Sequence, residues 1–507
     1  MKHLHVKKRF LCIIIVSSII WITYIFNSVQ NFRLYFRGWS EHNFNKYKSD
    51  LIGSRRDLID SRPNTCLIME ENYVNLPSTS VIVVFHNEAL SVLLRSINSV
   101  FDRVNPTLIE ELILVDDAST FDDLKEQLDK ELEKMSKVKI IRLKKRQGLI
   151  RARLEAIRIA RAAVLTFLDS HVECMNGWLE PMLHYLSLNK NWILEPEIVD
   201  INTETFDLVN THPKNARLGG FTWSLDMIWQ DNNMNHRSRR DIFSIVPTPM
   251  IAGGIFSINK EFFKKIGYWD EELDYYGAEN VELSVKAWLC HGAMYKVPCS
   301  NVGHITRSES PFGWKARDAL FFKKNIDRVA EVWFDEYKEV VFQHTGPKLV
   351  NIGNISHQVD IKRQNKCKPF KWYLDEIYKE QFKALEAIKY GVIRLQISKV
   401  CIEYDHFNSY RLTFSKCHSF KILDNDKFQV WYLTRNGQIR HNMKCLDGNQ
   451  ISVPSPCSEN SSSQIFSISK NSNAIMYQGK CLYHHTRLLI APCSKVQHFI
   501  LDDKPIE

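Results

Sequence analysis

Three short apolar runs, each ending in polar or acidic residues, constrain the fold of this 507-residue chain more than any other feature. Ser80–Phe85 reads SVIVVF, Glu111–Asp117 reads ELILVDD and Val164–His171 reads VLTFLDSH. Short runs that are apolar at successive positions suit strands covered on both faces, as in parallel sheets. Between them lie stretches with helical spacing, Ala89–Val100, Leu124–Met135 and Leu149–Ala163. Strands alternating with helices predict a doubly wound α/β sheet, which binds ligands beyond the carboxyl ends of its strands. His86, Asn87, Asp116, Asp117, Asp169 and His171 all fall at those ends.

Asp169-Ser170-His171 is the most informative tripeptide. In extended chain, residues two apart project to the same side, so a carboxylate and an imidazole can reach one ion. A mixed oxygen and nitrogen donor set suits manganese, while ligand type alone leaves its competitors open. Plainer readings stand beside the functional ones elsewhere. Asp116 and Asp117 can cap the turn after a strand. Arg146 belongs to the basic run Lys144-Lys145-Arg146, and such runs are usually solvated. Glu279 can be an ordinary first-turn helix carboxylate.

The N-terminus supplies an address. Phe10–Phe26 reads FLCIIIVSSIIWITYIF, and Phe10–Gln30 is free of charge. That is roughly the 20 residues a bilayer core requires. Lys2, Lys7, Lys8 and Arg9 precede it, so the positive-inside rule keeps residues 1–9 cytoplasmic. The length of the run, with no A-x-A-like cleavage site behind it, favours an uncleaved signal-anchor over 10–30 rather than a signal peptide. Residues 31–65, polar, basic and aperiodic, read as a stem, and everything beyond the anchor is expected to be luminal.

Charge and cysteines fit that compartment. Of the net +9, residues 1–60 hold +6 (ten Lys/Arg against four Asp/Glu), which leaves +3 for the rest. That is too little for a phosphate-tracking surface, so no nucleic-acid partner is expected. Twelve cysteines, with Cys12 in the anchor, leave eleven for an oxidising lumen. None has C-x-x-C spacing, which argues against a zinc ribbon. Asn354-Ile-Ser and Asn460-Ser-Ser are candidate N-glycosylation sites.

Near residue 395 the texture changes. Cysteines fall in three close pairs, Cys401/Cys417, Cys445/Cys457 and Cys481/Cys493. Each pair is followed by Gln-x-aromatic, at Gln429-Val-Trp431, Gln464-Ile-Phe466 and Gln497-His-Phe499. Three copies at a period of 36 to 44 residues indicate a repeat, read most economically as short strands closed into a β-trefoil.

In order along the chain, SVIVVFHNEA, LILVDDAS, IRLKKRQGLIRARLEA, VLTFLDSHVEC, GWLEPML, AGGIFSINK, GAENVELS, PCSNVGH, RVAEVWFDEYK and CKPFKWYLDEIY resemble the polypeptide N-acetylgalactosaminyltransferases. The resemblance covers residues 66–380 and continues, past a linker at 381–395, into a ricin-type lectin domain at 396–507. It implies a GT-A fold, manganese, UDP-GalNAc as donor, Ser/Thr hydroxyls of secretory proteins as acceptors, and a single-pass type II protein of the Golgi membrane. Mucin-type O-glycosylation would be initiated with retention of anomeric configuration. Carried over by position, Asp169, His171 and His304 look like the metal ligands. Asp117, Arg146, Ser170, Tyr276 and Arg307 look like donor contacts, and Glu279, with Asp169, looks like a catalytic acidic residue near the sugar. Implied disulfides are Cys66–Cys299, Cys290–Cys367, Cys401–Cys417, Cys445–Cys457 and Cys481–Cys493, leaving Cys12 and Cys174 free.

The chain also departs from the family pattern. Ser310 stands where a phosphate-contacting His is usual, Phe312 where a Tyr is usual, Tyr276 where a Trp is usual, and Val172 where Cys often follows the metal motif. In the C-terminal repeats the sugar-binding Asp of Cys-Leu-Asp survives at Asp447, while the other repeats have Glu403 and Tyr483. A rival reading therefore stands beside the enzyme: a catalytically weak or inactive transferase-like protein that binds glycans or proteins. A transferase for another nucleotide-sugar is a third.

Overall fold

The computed structural model describes Trp21, Ile25 and residues 29–507 apart from 61, 210–216, 231–242, 308–318, 397, 405–410, 418–427, 485–487, 494–498 and 506–507. The three apolar runs form β1 (Thr79–Phe85), β2 (Ile109–Asp116) and β4 (Val164–Asp169), and a fourth strand, β3 (Val138–Arg142), joins them. They pair in parallel in the order β3-β2-β1-β4. Alternation along β1 sends Ile82 into one buried cluster, with Phe167 and Trp269, and Val81 and Val83 into another, with Leu114 and Trp178. The sheet is therefore covered on both faces, as its uninterrupted apolar runs require.

Beyond β4 the sheet becomes mixed. β5 (Val172–Cys174) follows immediately, then β6 (Trp192–Ile201). The strand Phe256–Asn259 lies antiparallel between β4 and β6. The long strand Ala293–Ile305 runs parallel to β6 and antiparallel to β5.

The segment expected to be a stem is partly built into this domain. Residues 29–42 are helical, and Asn45 caps a second helix, Lys46–Ile52, by accepting from Lys48 N at 2.9 Å. Phe44, fully buried, packs with Ala89, Val92, Ile201, Phe206 and Ile305. A buried phenylalanine is worth about 1.5–3 kcal/mol in transfer alone, enough to hold so short a segment in place. Among the described residues no helix is long and apolar enough to cross a membrane. The expected anchor over 10–30 lies outside them except for Trp21, Ile25, Val29 and Gln30.

A second, all-β unit follows. Its strand Lys389–Leu395 pairs with Val400–Tyr404, Val430–Leu433 and Phe499–Pro505. The unit thus begins inside the stretch expected to be linker, at Lys389 rather than 396. Trp431, Phe466 and Phe499, one aromatic from each repeat, meet in a single core. Val430 and Tyr432 face the other way and join the core of the first domain. The Tyr432 hydroxyl lies 3.0 Å from both Gln343 Oε1 and His344 Nε2.

Among the described residues five disulfides form: Cys66–Cys299, Cys290–Cys367, Cys401–Cys417, Cys445–Cys457 and Cys481–Cys493. Cys174 is buried and free, while Cys12 lies outside the described residues.

Candidate active site

β1 is flanked by β2 on one side and β4 on the other, which makes the carboxyl end of the β1–β4 pair the switch point of the sheet. There Val84 stands in register with Asp169, and Phe85 with Asp116. The chain leaves β4 through Ser170-His171 and enters β5, which pairs with the long strand so that Val172 faces His304. This pairing joins residues far apart in sequence. The donor atoms of Asp169, His171 and His304 all lie within 4.8 Å of one another, with His304 Nε2 at 3.3 Å from Asp169 Oδ2. Gly254 explains part of the Ala-Gly-Gly signature, because a Cβ there would lie 2.2 Å from Asp169 Oδ2.

Glu88 organises the centre from beneath and was not singled out from the sequence. It is 3% exposed. It accepts from Ser170 Oγ at 3.0 Å, from His171 Nδ1 at 3.1 Å, and from Arg307 Nη2 at 2.8 Å to each oxygen. An ionised carboxylate only accepts, so His171 carries its proton on Nδ1 and leaves Nε2 for an ion. Burial alone would raise the Glu88 pKa, but the Arg307 charge and the His171 hydrogen bond hold it well below the usual carboxylate range. Asp169 behaves alike: burial opposes its charge, while His304, His171 and Arg153 keep it far below normal. The one available signal was the position of Glu88 at a strand end, directly after His86-Asn87.

A cavity of about 680 Å³ opens over this centre, and its wall includes Asp117, Arg146, Asp169, Ser170, His171, Tyr276, His304 and Arg307. Asp116 and Asp117 take different roles there. Asp116 turns away, accepting from Ser119 N at 2.7 Å and Arg142 Nη1 at 2.6 Å. Asp117 faces the cavity and accepts from Gln147 N at 2.6 Å and Gly148 N at 2.9 Å. Gly148 has φ +86°, and a Cβ there would strike the Tyr275 backbone at 2.2 Å. Arg146 stands 3.9 Å from Asp117, and burial lowers its pKa.

Glu279 lies below the cavity rather than on its wall. It is 4% exposed, accepts from Gly277 N at 2.7 Å, and burial raises its pKa. Arg153, a second residue absent from the sequence-based set, is 3.5 Å from Asp169, bonds to Gly253 O at 2.8 Å, and acts by its charge on Glu279. Tyr276 is half exposed. Ser310 and Phe312 lie outside the described residues. In the C-terminal unit Asp447, 9% exposed, accepts from Asn449 N at 3.0 Å in a turn, and Asn354 and Asn460 are both exposed.

One carboxylate oxygen and two imidazole nitrogens, with the rest of the coordination sphere open to the cavity, fit a divalent ion of the manganese type. Comparison with known proteins agrees with this geometry. A model described as glycosyl transferase family 2 matches residues 80–267. The chain is 40% identical over 416 residues to a putative polypeptide N-acetylgalactosaminyltransferase 9 of Drosophila melanogaster, spanning 81% of this chain and 63% of that protein. It is 38% identical over 428 residues to polypeptide N-acetylgalactosaminyltransferase 5 of Caenorhabditis elegans, spanning 83% and 67% respectively. The crystal structure of GalNAc-T7 with UDP, GalNAc and Mn2+ superimposes with a TM-score of 0.71 at 29% identity, over 93% of this chain and 90% of that one. The strand-end cluster and these likenesses point one way, and the chain belongs to the polypeptide N-acetylgalactosaminyltransferase family.

Proposed function

We propose that this chain transfers N-acetylgalactosamine from UDP-GalNAc to Ser/Thr hydroxyls of polypeptides, with retention of configuration. The observation that carries this reading is the convergence of Asp169, His171 and His304 at the switch point of the sheet. Manganese bound there would neutralise charge building on the departing diphosphate. Asp117, which follows β2 two strands from β4, and Arg146 beside it suit the nucleotide end of the donor. Ser170 supplies a hydroxyl beside the metal ligands, and Tyr276 forms wall above the buried Glu279. Arg153 is 3.5 Å from Asp169 and its charge also acts on buried Glu279, an arrangement that suits an acidic residue at the sugar end. Arg307 is paired with Glu88 and lines the cavity, where its remaining guanidinium N–H groups could meet a diphosphate.

The test is direct. Full-length protein, UDP-GalNAc, manganese and Ser/Thr-rich peptides should yield UDP and a peptide heavier by one sugar, and both should vanish in chelator or in Asp169→Ala. Absence of transfer, or transfer that ignores the chelator, overturns the reading.

The same reading makes the C-terminal unit a ricin-type trefoil with Asp447 as its sugar contact, which loss of GalNAc-glycopeptide binding in Asp447→Ala would support and undiminished binding would remove. It also places the chain in the Golgi lumen behind an N-terminal anchor, with glycans on Asn354 and Asn460. Five disulfides favour such an oxidising compartment. Cell-surface or cytosolic fractionation of the tagged chain would refute that placement.

A further inference from the structure

The two imidazoles of the metal centre are held by different means. His171 is fixed by buried Glu88, as described above, whereas His304 lies 21% exposed and, among the described residues, has no carboxylate on its outer nitrogen. Instead, His304 Nδ1 is 3.2 Å from Thr306 Oγ1, and Thr306 Oγ1 is 2.8 Å from Asp200 Oδ1. The arrangement follows from strand geometry. Thr306 lies one residue past the end of the long strand and two after His304, the spacing at which extended chain puts side chains on one side. Asp200 is directly opposite His304 in the parallel pairing of the long strand with β6.

The direction of these hydrogen bonds is set by chemistry. Asp200 already accepts from Arg217 Nη2 at 3.2 Å, and as a carboxylate it cannot donate, so the Thr306 hydroxyl donates to it. That hydroxyl then has lone pairs left but no second proton. Its contact with His304 is satisfied when Nδ1 carries the ring proton. With an ion held between them, Nε2, which faces Asp169, is then the nitrogen that offers a lone pair. A hydrogen-bonded partner on the outer nitrogen of a ligating histidine both orients the ring and raises its basicity.

We propose that Asp200 and Thr306 form a relay that holds His304 in its metal-binding tautomer and ring orientation, so that both are positioning residues for the metal. The inference rests on the metal reading above. It concerns this chain's own side chains and is measured on metal affinity rather than turnover.

The experiment titrates manganese into the full chain with saturating UDP and follows free Mn2+ by electron paramagnetic resonance. Thr306→Val keeps shape and removes the hydroxyl; affinity should fall about 10- to 100-fold, the effect of losing an outer partner of a metal ligand. Thr306→Ser restores the hydroxyl and should stay within about threefold of wild type, a small fraction of that loss. Asp200→Ala should weaken binding in the same direction as Thr306→Val. Thr306 is exposed, so metal-free thermal unfolding should not change in the Thr306 variants. Wild-type affinity in Thr306→Val, or a Thr306→Ser variant as weak as Thr306→Val, overturns the relay while leaving the metal site standing. A wild-type chain that binds no manganese removes the site and the relay together.

Discussion

Glu88→Gln is the sharpest perturbation of the centre because it conserves shape and changes one atom and one charge. Both carboxylate oxygens are committed: one accepts from Arg307 and from Ala89 N, and the other from Arg307, His171 and Ser170. An amide nitrogen in either place sets a donor against a donor. Removing one partner of a buried ion pair costs about 3–5 kcal/mol when the remaining charge stays buried. Here the Arg307 side chain retains 11% exposure and can swing toward water, which favours the lower end. We expect a loss of about 3 kcal/mol, read from urea unfolding as a lower midpoint at unchanged slope. Manganese affinity should fall in parallel, by about tenfold, because a neutral amide oxygen is a weaker acceptor for His171 than the carboxylate and fixes its tautomer less firmly. A loss below about 1 kcal/mol, the level of an exposed pair, together with unaltered manganese affinity would show that Glu88 does not organise the ligands, and the account of the site would have to be rebuilt.

Two further outcomes test the rest of the structure. Phe44→Ala should cost about 3–5 kcal/mol, the usual penalty for emptying a fully buried aromatic site; a shift indistinguishable from zero in chemical denaturation would return residues 42–52 to the stem. His42, 1% exposed, has a pKa lowered chiefly by burial, against the opposing pull of Glu88. The fold therefore favours its neutral form, while the unfolded chain takes up a proton below about pH 6.5. Stability should decline as pH falls through that value toward the lower folded pKa, and His42→Phe should flatten the decline; equal slopes for wild type and variant between pH 7.5 and 5.5 would refute the assignment.

How much was legible in the sequence depended on how local each signal was. β1, β2 and β4 are buried on both faces, so their apolar runs announced them. β3 sits at the sheet edge with Lys139 and Arg142 exposed, and its mixed composition hid it. Asp169 and His171 were readable as a carboxylate and an imidazole two apart at a strand end, although the chain turns at Ser170-His171 instead of running on extended. His304 became a candidate through resemblance, since no local pattern links it to residues so far upstream. Glu88 and Arg153 escaped notice for a related reason: each acquires meaning from partners brought by other segments, Arg307 for the first and Asp169 for the second. Phe44 was overlooked as one apolar residue in a polar stretch, where periodicity has nothing to measure. The same holds for Lys389–Leu395, whose strand character depends on partners as distant as Phe499–Pro505.

The placement of His304 on the long strand has a consequence for how the molecule is made. That strand enters the sheet beside β6 after most of the domain has been synthesised, and it brings the last donor atom with it. A chain in which the strand has not yet docked offers an ion two contacts rather than three. Manganese bound there as proposed would therefore report on assembly as well as serve chemistry: tight binding would mean that the long-range pairing is complete, and by mass action it would help to keep it so.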